Sequence, residues 1–316
     1  MMAAAAPGIS QLTDGPEEPS IEAPTMSDGV LLAGSSIAAA RRALATTLLR
    51  HGIDNAELDA RVLLGHALGL SHTDLALQGG RGITREEASA IRALAARRLT
   101  HEPVARIIGQ REFWGLPITL GAGVFIPRPE TETVVETAVA ALAGKNRAGR
   151  LRILDLATGS GALLLALLSE LPDAVGIGTD TDAAALECAR ENANAHHLRA
   201  WFVACHYGAA LRGPFDMIVA NPPYIPRTEI ATLAPEVREF DPLAALDGGP
   251  DGLDGYRAIA RDVRRLLAPD GCIAVELGHR QAEAVAALFG AAGLATEPPR
   301  YDLSGKARAL VARPLP

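Results

Sequence analysis

The sequence predicts an α/β fold in which a parallel sheet, wrapped by helices, is preceded by a small helical bundle. Apolar residues recur at helical spacing across residues 37–100, and strands alternate with helices from residue 151 onward. Short extended segments separate the two patterns. A chain of 316 residues, 48% of them hydrophobic, is long enough to bury one large α/β core and a smaller second one.

The composition disfavours several classes of partner and site. Lys and Arg number 30 against 37 Asp and Glu, so the net charge of -7 offers nucleic acid no sequence-wide basic field. The three cysteines are odd in number and far apart, which favours buried thiols over a disulfide framework or a zinc site. No run reaches the roughly 20 uncharged apolar residues of a membrane span. We therefore expect a cytoplasmic protein that uses no metal and binds neither nucleic acid nor membrane.

Three regions precede the predicted sheet. Residues 1–33 are rich in small and acidic residues without apolar periodicity, so we expect a disordered tail. Residues 34–102 are predicted to form an N-terminal helical domain. Its helix starts are marked by three capping pairs: Asp54 with Glu57, Ser71 with Asp74, and Thr84 with Glu87. Residues 103–124 are predicted to form a β-hairpin linker from extended segments at 104–108 and 116–120.

Residues 125–316 are predicted to form the α/β domain. A helix runs from about Glu130 to Leu142, and strands then alternate with helices. The predicted strands lie at 152–156, 175–179, 201–204, 217–220, 273–277 and 309–312.

A glycine turn, residues 155–161, follows the first of these strands and opens a long apolar helix. Ligands bind at this position in open α/β sheets, and Gly159 and Gly161 let the backbone approach a ligand closely. An ordinary strand-to-helix turn is the plain alternative. A dinucleotide fingerprint fits less well, because Leu164 stands where that pattern has Gly or Ala.

The next predicted strand ends in a carboxylate, Asp180. It is placed where it can accept the hydroxyl protons of a ribose, which supports an adenosine ligand without separating NAD from S-adenosylmethionine. It could equally cap the helix that starts near Ala183.

The strongest motif is Asn221-Pro222-Pro223-Tyr224, which ends an apolar strand at the same edge of the predicted sheet. The two prolines prevent further ladder bonding and make the backbone rigid. A proline-stiffened turn would account for the prolines but would require neither Asn221 before them nor Tyr224 after them.

This motif suits methyl transfer to a planar nitrogen. Such a nitrogen is a poor nucleophile because its lone pair is delocalised, so it must be oriented. The Asn221 side-chain oxygen and the Pro222 carbonyl can each accept one N–H of an NH2 group, and Tyr224 can stack on its plane. A sulfonium supplies the driving force, so transfer from S-adenosylmethionine needs alignment more than a strong base. We predict Asn221, Pro222 and Tyr224 as catalytic, with Pro223 completing the substrate contact.

Taken in order, these motifs resemble the class I S-adenosylmethionine-dependent methyltransferases. Four further segments are similar to the peptide chain release factor glutamine N5-methyltransferase family: residues 111–115, 127–132, 245–249 and 251–254. The resemblance extends from about residue 35 to the end. Pro-Arg-Pro-Glu-Thr-Glu at 127–132 differs from the Pro-Arg-Ser-Pro of ribosomal protein glutamine methyltransferases, which favours the release factor branch.

The resemblance implies a seven-stranded Rossmann-like sheet and, as substrate, the glutamine of the Gly-Gly-Gln loop in class 1 release factors, held partly by the helical domain. It implies a methionine site along the glycine turn, a ribose contact, an aromatic residue near adenine and an asparagine touching both ligands. These residues would be Ala157, Thr158, Gly159, Ser160, Gly161, Asp180, Tyr207 and Asn221. Arg128 and Glu130 would either shape the wall between cofactor and substrate or form structural ion pairs.

Three departures from the family pattern stand out. Ala157 replaces the usual Gly, which is tolerated at negative φ and strained at positive φ. His206 replaces the usual Asp before the aromatic residue, and residues 305–308 keep only part of a Gly-x-Asp-Arg pattern.

Rival functions are a ribosomal-protein glutamine methyltransferase, an adenine-N6 nucleic-acid methyltransferase and a non-catalytic adenosine-binding module. The exocyclic amine of adenine would present the same geometry as a glutamine amide to residues 221–224. The acidic charge balance argues against a nucleic-acid substrate.

Overall fold

The computed structural model describes residues 33–143 and 150–315. The predicted tail, residues 1–33, lies outside the described residues except for Ala33. Within the described ranges, no helix is both long and apolar enough to cross a bilayer.

The N-terminal region is a helical bundle whose apolar stripes face one another. Its helices are α1 (Ile37–Arg50), α2 (Ala56–Leu68), α3 (His72–Leu77), α4 (Arg85–Leu99) and α5 (Val104–Ile108). Leu44, Leu63 and Ile91 are fully buried in this core. The capping boxes at Ser71 and Thr84 are confirmed. The start at Asp54 is wrong, because α2 begins after Asn55, which makes no side-chain cap bond.

The extended segment predicted at 104–108 is wrong, since Val104–Ile108 is the short helix α5. Pro103 precedes it with φ −59°, and Gly109 ends it with φ +72°. Ile107 packs into the bundle core while Ala105 packs into the core of the following domain. An apolar run of this length is compatible with either a strand or a helix. In the folded protein the segment packs against both cores, and it does so as a helix.

A β-hairpin follows α5, formed by β1 (Gln110–Phe113) and β2 (Leu116–Thr119). Its two turn residues, Trp114 and Gly115, both have positive φ, as a type I′ turn requires. The Glu132 carboxylate accepts from the Trp114 backbone N–H at 2.9 Å and so supports this turn from the 127–132 motif.

The second region alternates strands and helices as predicted. In chain order its elements are α6 (Glu132–Leu142), β3 (Arg152–Leu156), α7 (Ala162–Glu170), β4 (Val175–Asp180), α8 (Ala183–Ala195), β5 (Ala200–Ala204), β6 (Phe215–Ala220), α9 (Pro235–Arg238), α10 (Leu243–Leu246), α11 (Asp254–Leu266), β7 (Leu267–Glu276), α12 (Ala282–Ala291), β8 (Leu294–Thr296), β9 (Arg300–Tyr301) and β10 (Ala307–Pro314). Short 3₁₀ turns at Pro129–Thr131 and Arg227–Thr232 precede α6 and α9.

The strands form one sheet in the order β5-β4-β3-β6-β7-β10-β8, and the two-residue β9 pairs with β10. The seven strands of this path confirm the predicted sheet, and β9 is one strand more. Neighbours from β5 to β7 are parallel, whereas β10 is antiparallel to both β7 and β8. Strand order reverses between β3 and β6, so the sheet has its topological switch point there.

The register at this switch point places the two predicted motifs side by side. Leu156 of β3 pairs with Ala220 of β6, and Ala220 pairs with Val275 of β7. The next residues along these parallel strands are Ala157, Asn221 and Glu276. The glycine turn, the Asn-Pro-Pro-Tyr corner and a carboxylate therefore meet at one edge of the sheet.

Arg98 of α4 connects the bundle to the segment between β6 and α11. Its guanidinium is buried, with the residue 3% exposed. Its Nε donates to Asp59 at 2.7 Å within the bundle, and a terminal nitrogen donates to Glu236 of α9 at 2.5 Å. Arg106 adds a second connection by donating to the Phe240 carbonyl at 3.3 Å.

Candidate active site

A cavity of about 830 Å³ opens at the carboxyl edge of the sheet, at the switch point. It is lined by most of the residues that the sequence singles out. These are Ala157, Thr158, Gly159, Ser160, Asp180, Tyr207, Asn221, Pro222, Pro223 and Tyr224. Gly161 lies off the cavity wall, where a Cβ atom would come within 3.1 Å of the Ala189 Cβ, so its small size serves the packing of α8 against the start of α7.

The glycine turn is held by hydrogen bonds to both flanking strands. The Thr158 N–H donates to the Thr179 carbonyl at 2.8 Å, and the Thr158 hydroxyl donates to Asp155 at 2.6 Å. The Gly159 N–H donates to Asp180 at 2.9 Å. Burial raises the pKa of Asp155 to about 7, against the effect of the Thr158 hydrogen bond.

Ala157 adopts φ +59°, the strained alternative for a residue that replaces Gly in this turn. The left-handed conformation costs an alanine about 1–2 kcal/mol. We expect Ala157→Gly to raise the free energy of unfolding by roughly 0.5–1 kcal/mol, because the released strain exceeds the added chain entropy of glycine. Urea denaturation with an unchanged m-value checks this.

Gly159 provides the matched control for Ala157→Gly. It has φ +56° and open space around its Cα, so Gly159→Ala introduces the same strain without a clash. It should destabilise by about 1 kcal/mol. If Ala157→Gly instead lowered the free energy of unfolding, the inferred backbone strain at Ala157 would be contradicted.

Asp180 does not cap the helix that follows it. The N-cap of α8 is Asp182, which accepts from the Ala184 N–H at 2.8 Å. Asp180 instead accepts from the backbone of Gly159 with one oxygen and from the backbone of Asp182, at 3.0 Å, with the other. These two bonds fix the carboxylate at the cavity wall, and a carboxylate with about four acceptor sites still has lone pairs for a ligand.

Tyr207 and His206 form the side of the cavity beyond β4 and β5. Their rings meet edge to face with centroids 4.7 Å apart. Burial raises the pKa of Tyr207 to about 12, with the Asp180 charge adding to this, so the phenol is neutral at physiological pH.

The Asn-Pro-Pro-Tyr corner is anchored at both ends. The Asn221 amide nitrogen donates to the Thr131 hydroxyl at 3.3 Å, and the Tyr224 hydroxyl donates to Glu276 at 3.0 Å. The Gln281 amide donates to the Tyr224 carbonyl at 2.9 Å. The corner is therefore rigid through side-chain bonds as well as through its prolines.

The glycines of the 245–254 region pack directly on this corner. A Cβ atom on Gly248 would lie 2.8 Å from the Tyr224 Cα, and one on Gly252 would lie 2.4 Å from the Tyr224 carbonyl oxygen. Gly252 also has φ +76°. The Ile225 N–H donates to the Leu246 carbonyl at 3.0 Å, which joins the two segments through the backbone. Side chains at these glycines would displace Tyr224.

Arg128 lines the cavity and pairs with the buried Asp241 carboxylate, so it takes part in an ion pair as well as in the wall. Its guanidinium also lies over the Phe125 ring, 5.1 Å from the centroid. Glu130 is exposed and lies away from the cavity wall.

Sequence reasoning missed Thr131, Glu276 and Gln281 as parts of the site. A signal existed for Glu276, because a carboxylate at the end of an otherwise apolar strand must find partners when it is buried. No local signal marks Thr131 or Gln281, whose partners lie 90 and 57 residues away in sequence.

Comparisons with known proteins identify the domains and the fold of this chain. Residues 39–109 match the family described as PrmC N-terminal domain, and residues 132–236 match the methyltransferase small domain. The catalytic domain of hMettl16, solved in complex with MAT2A 3'UTR hairpin 6, superimposes with a TM-score of 0.51 over 71% of this chain and 82% of that one. At 15% identity, that similarity concerns the fold alone.

Two similar proteins are each named release factor glutamine methyltransferase. The protein from Bradyrhizobium diazoefficiens is 53% identical over 286 residues, which cover 90% of this chain and 96% of the relative. The protein from Rhodospirillum rubrum is 51% identical over 264 residues, which cover 83% of this chain and 80% of the relative. With identity this high over nearly the whole of a relative, the chain belongs to the release factor glutamine methyltransferase family.

Proposed function

We propose that this protein transfers a methyl group from S-adenosylmethionine to the side-chain amide nitrogen, N5, of the glutamine in the Gly-Gly-Gln loop of class 1 peptide chain release factors. The observation that carries the proposal is the strand register that sets Ala157 beside Asn221. A donor bound along the glycine turn and an NH2 group held at the corner would then be neighbours. The names of the relatives support the choice of substrate.

The residues of the glycine turn suit the donor. Backbone N–H groups and positive-φ residues from Ala157 to Ser160 would hold the methionine part, and the fixed Asp180 carboxylate would accept from the ribose hydroxyls. Tyr207 would lie near the adenine. When bound, S-adenosylmethionine supplies an activated methyl group and its own leaving group.

The corner suits the acceptor. The Asn221 side-chain oxygen and the Pro222 carbonyl would each accept one N–H of the glutamine amide, which fixes its plane and turns its lone pair toward the methyl carbon. Tyr224 and Pro223 would stack against the flat amide. Methyl transfer releases a neutral thioether and leaves the nitrogen cationic and its N–H acidic, so the proton can leave to water after the methyl group arrives, and no residue need act as a strong base.

We assign recognition of the release factor to the bundle of residues 34–102, methyl transfer to residues 125–316, and the connection to residues 103–124. The bundle is linked to the cavity wall by Arg98 through Glu236, one residue before the lining residue Val237. Release factors act on ribosomes, so we place the reaction in the cytoplasm.

Labelled S-adenosylmethionine tests the function directly. Incubated with a purified class 1 release factor, the enzyme should label the protein, and a release factor with its loop glutamine changed to alanine should stay unlabelled. Duplex DNA and ribosomal proteins serve as the rival acceptors. Label retained on the alanine variant, or found on a rival acceptor instead, would refute the assignment.

A further inference from the structure

Thr131 belongs to the 127–132 motif and reaches the catalytic corner. It ends the 3₁₀ turn Pro129–Thr131 and is 4% exposed. Its hydroxyl lies 3.3 Å from the Asn221 amide nitrogen and 2.5 Å from the Glu276 carboxyl oxygen Oε2. Since a hydroxyl can accept one hydrogen bond and donate another, Thr131 can serve both neighbours at once.

Glu276 is the far end of the same chain of hydrogen bonds. It is the last residue of β7 and is 1% exposed. Besides Thr131, it accepts from the Tyr224 hydroxyl at 3.0 Å through its other oxygen, Oε1. Burial raises the pKa of Glu276, whereas the Thr131 hydrogen bond and the Arg308 charge act in the opposite direction. One carboxyl group thus connects to Asn221 through Thr131 and to Tyr224 directly.

The direction of these bonds determines which end of the Asn221 amide serves the substrate. The Thr131 and Tyr224 hydroxyls both donate to Glu276, one to each carboxyl oxygen. The Thr131 oxygen is then available as an acceptor, and only the NH2 end of Asn221 can use it. The carbonyl end of Asn221 is left to accept from a bound amide. With the opposite orientation, Asn221 would present its NH2 group to an NH2 substrate, and neither could accept.

We propose that Thr131 and Glu276 are positioning residues that hold the Asn221 amide with its oxygen toward the substrate, while Glu276 also fixes the Tyr224 ring. This inference rests on the proposed function for its catalytic consequence. The hydrogen-bond chain itself involves residues of this protein alone and can be tested without any substrate.

Thr131→Val removes the hydroxyl while keeping the shape of the side chain, and Thr131→Ser keeps the hydroxyl. We expect Thr131→Val to lower kcat for release factor methylation by about 10-fold or more, because the Asn221 amide loses its fixed orientation. The KM for the release factor and the Kd for S-adenosylmethionine should stay within about 2-fold, since this loss concerns alignment rather than ground-state binding. Thr131→Ser should recover most of kcat.

Thr137→Val is the matched control. Thr137 is buried on the following helix, and its hydroxyl donates to the Thr133 carbonyl at 2.6 Å, away from Asn221. Its loss should leave kcat unchanged. If Thr131→Val keeps kcat within about 3-fold of the wild type, or if Thr131→Ser falls as far as Thr131→Val, the positioning role is refuted.

A substrate-free measurement separates this inference from the proposed function. With isotope-labelled asparagine, the side-chain NH2 resonances of Asn221 are identified by their absence in Asn221→Asp. Thr131→Val should shift them and speed their exchange with water, whereas Thr131→Ser and Thr137→Val should not. Unaffected Asn221 resonances in Thr131→Val would overturn the hydrogen-bond chain. A wild-type enzyme that fails to label release factors would instead overturn the proposed function. The Asn221 resonances would still test the hydrogen-bond chain in that case.

Discussion

Asn221→Ala is expected to lower the rate of methyl transfer by about 10²–10³-fold while leaving the Kd for S-adenosylmethionine within about 3-fold of the wild type. The variant removes the side-chain oxygen that would accept one N–H of the substrate amide. Without it, the delocalised nitrogen is no longer aligned with the methyl carbon. The backbone of the glycine turn and Asp180, which would hold most of the donor, are unchanged.

Single-turnover transfer to a release factor and calorimetric titration of the donor measure these two quantities separately. Asn194→Ala is a suitable control, because Asn194 is exposed on α8. Transfer that persists within about 10-fold would contradict the assigned role. A non-catalytic adenosine-binding module would behave differently from the outset, since its wild type would have no transfer to lose.

Arg98→Ala is expected to lower the free energy of unfolding by about 3–5 kcal/mol. The substitution leaves the buried Asp59 carboxylate without its cationic partner and removes the ion pair to Glu236. It also removes one connection between the bundle and the segment that walls the cavity, while the bond from Arg106 to Phe240 remains. Equilibrium urea denaturation measures the change.

The same variant should show a distinct pH dependence. Burial raises the pKa of Asp59, and the hydrogen bond and charge of Arg98 counteract that rise. Without Arg98 the folded-state pKa of Asp59 rises further above its unfolded value, so stability falls as the pH increases between the two. The free energy of unfolding that Arg98→Ala loses relative to the wild type should therefore be smaller at low pH than at neutral pH.

Arg41→Ala is the control for Arg98→Ala. Arg41 pairs with Glu57 at 3.4 Å, and both side chains are exposed. Its removal should cost less than about 1 kcal/mol. Equal losses from the two substitutions would show that burial of the Arg98 pair contributes nothing.

Much of the fold follows from local patterns that any reader of the sequence can evaluate. The capping boxes at Ser71 and Thr84 depend on residues three positions apart, and the central strands depend on short apolar runs bounded by turn residues. Short elements escaped this reasoning. The three-residue β8 and two-residue β9 have too few side chains for a period, and α5 has apolar residues that suit a strand as well as a helix.

The sequence by itself determined the α/β architecture and the location of the candidate site, because the glycine turn and Asn221 to Tyr224 are contiguous motifs at strand ends. Only the tertiary structure decided how those motifs are held. The sign of φ at Ala157, the bond from Asn221 to Thr131 and the ion pair from Arg98 to Glu236 all depend on segments that meet in space. The last two contacts join residues that are 90 and 138 positions apart in the sequence. The spacing of residues along a chain does not show which distant side chains come into contact.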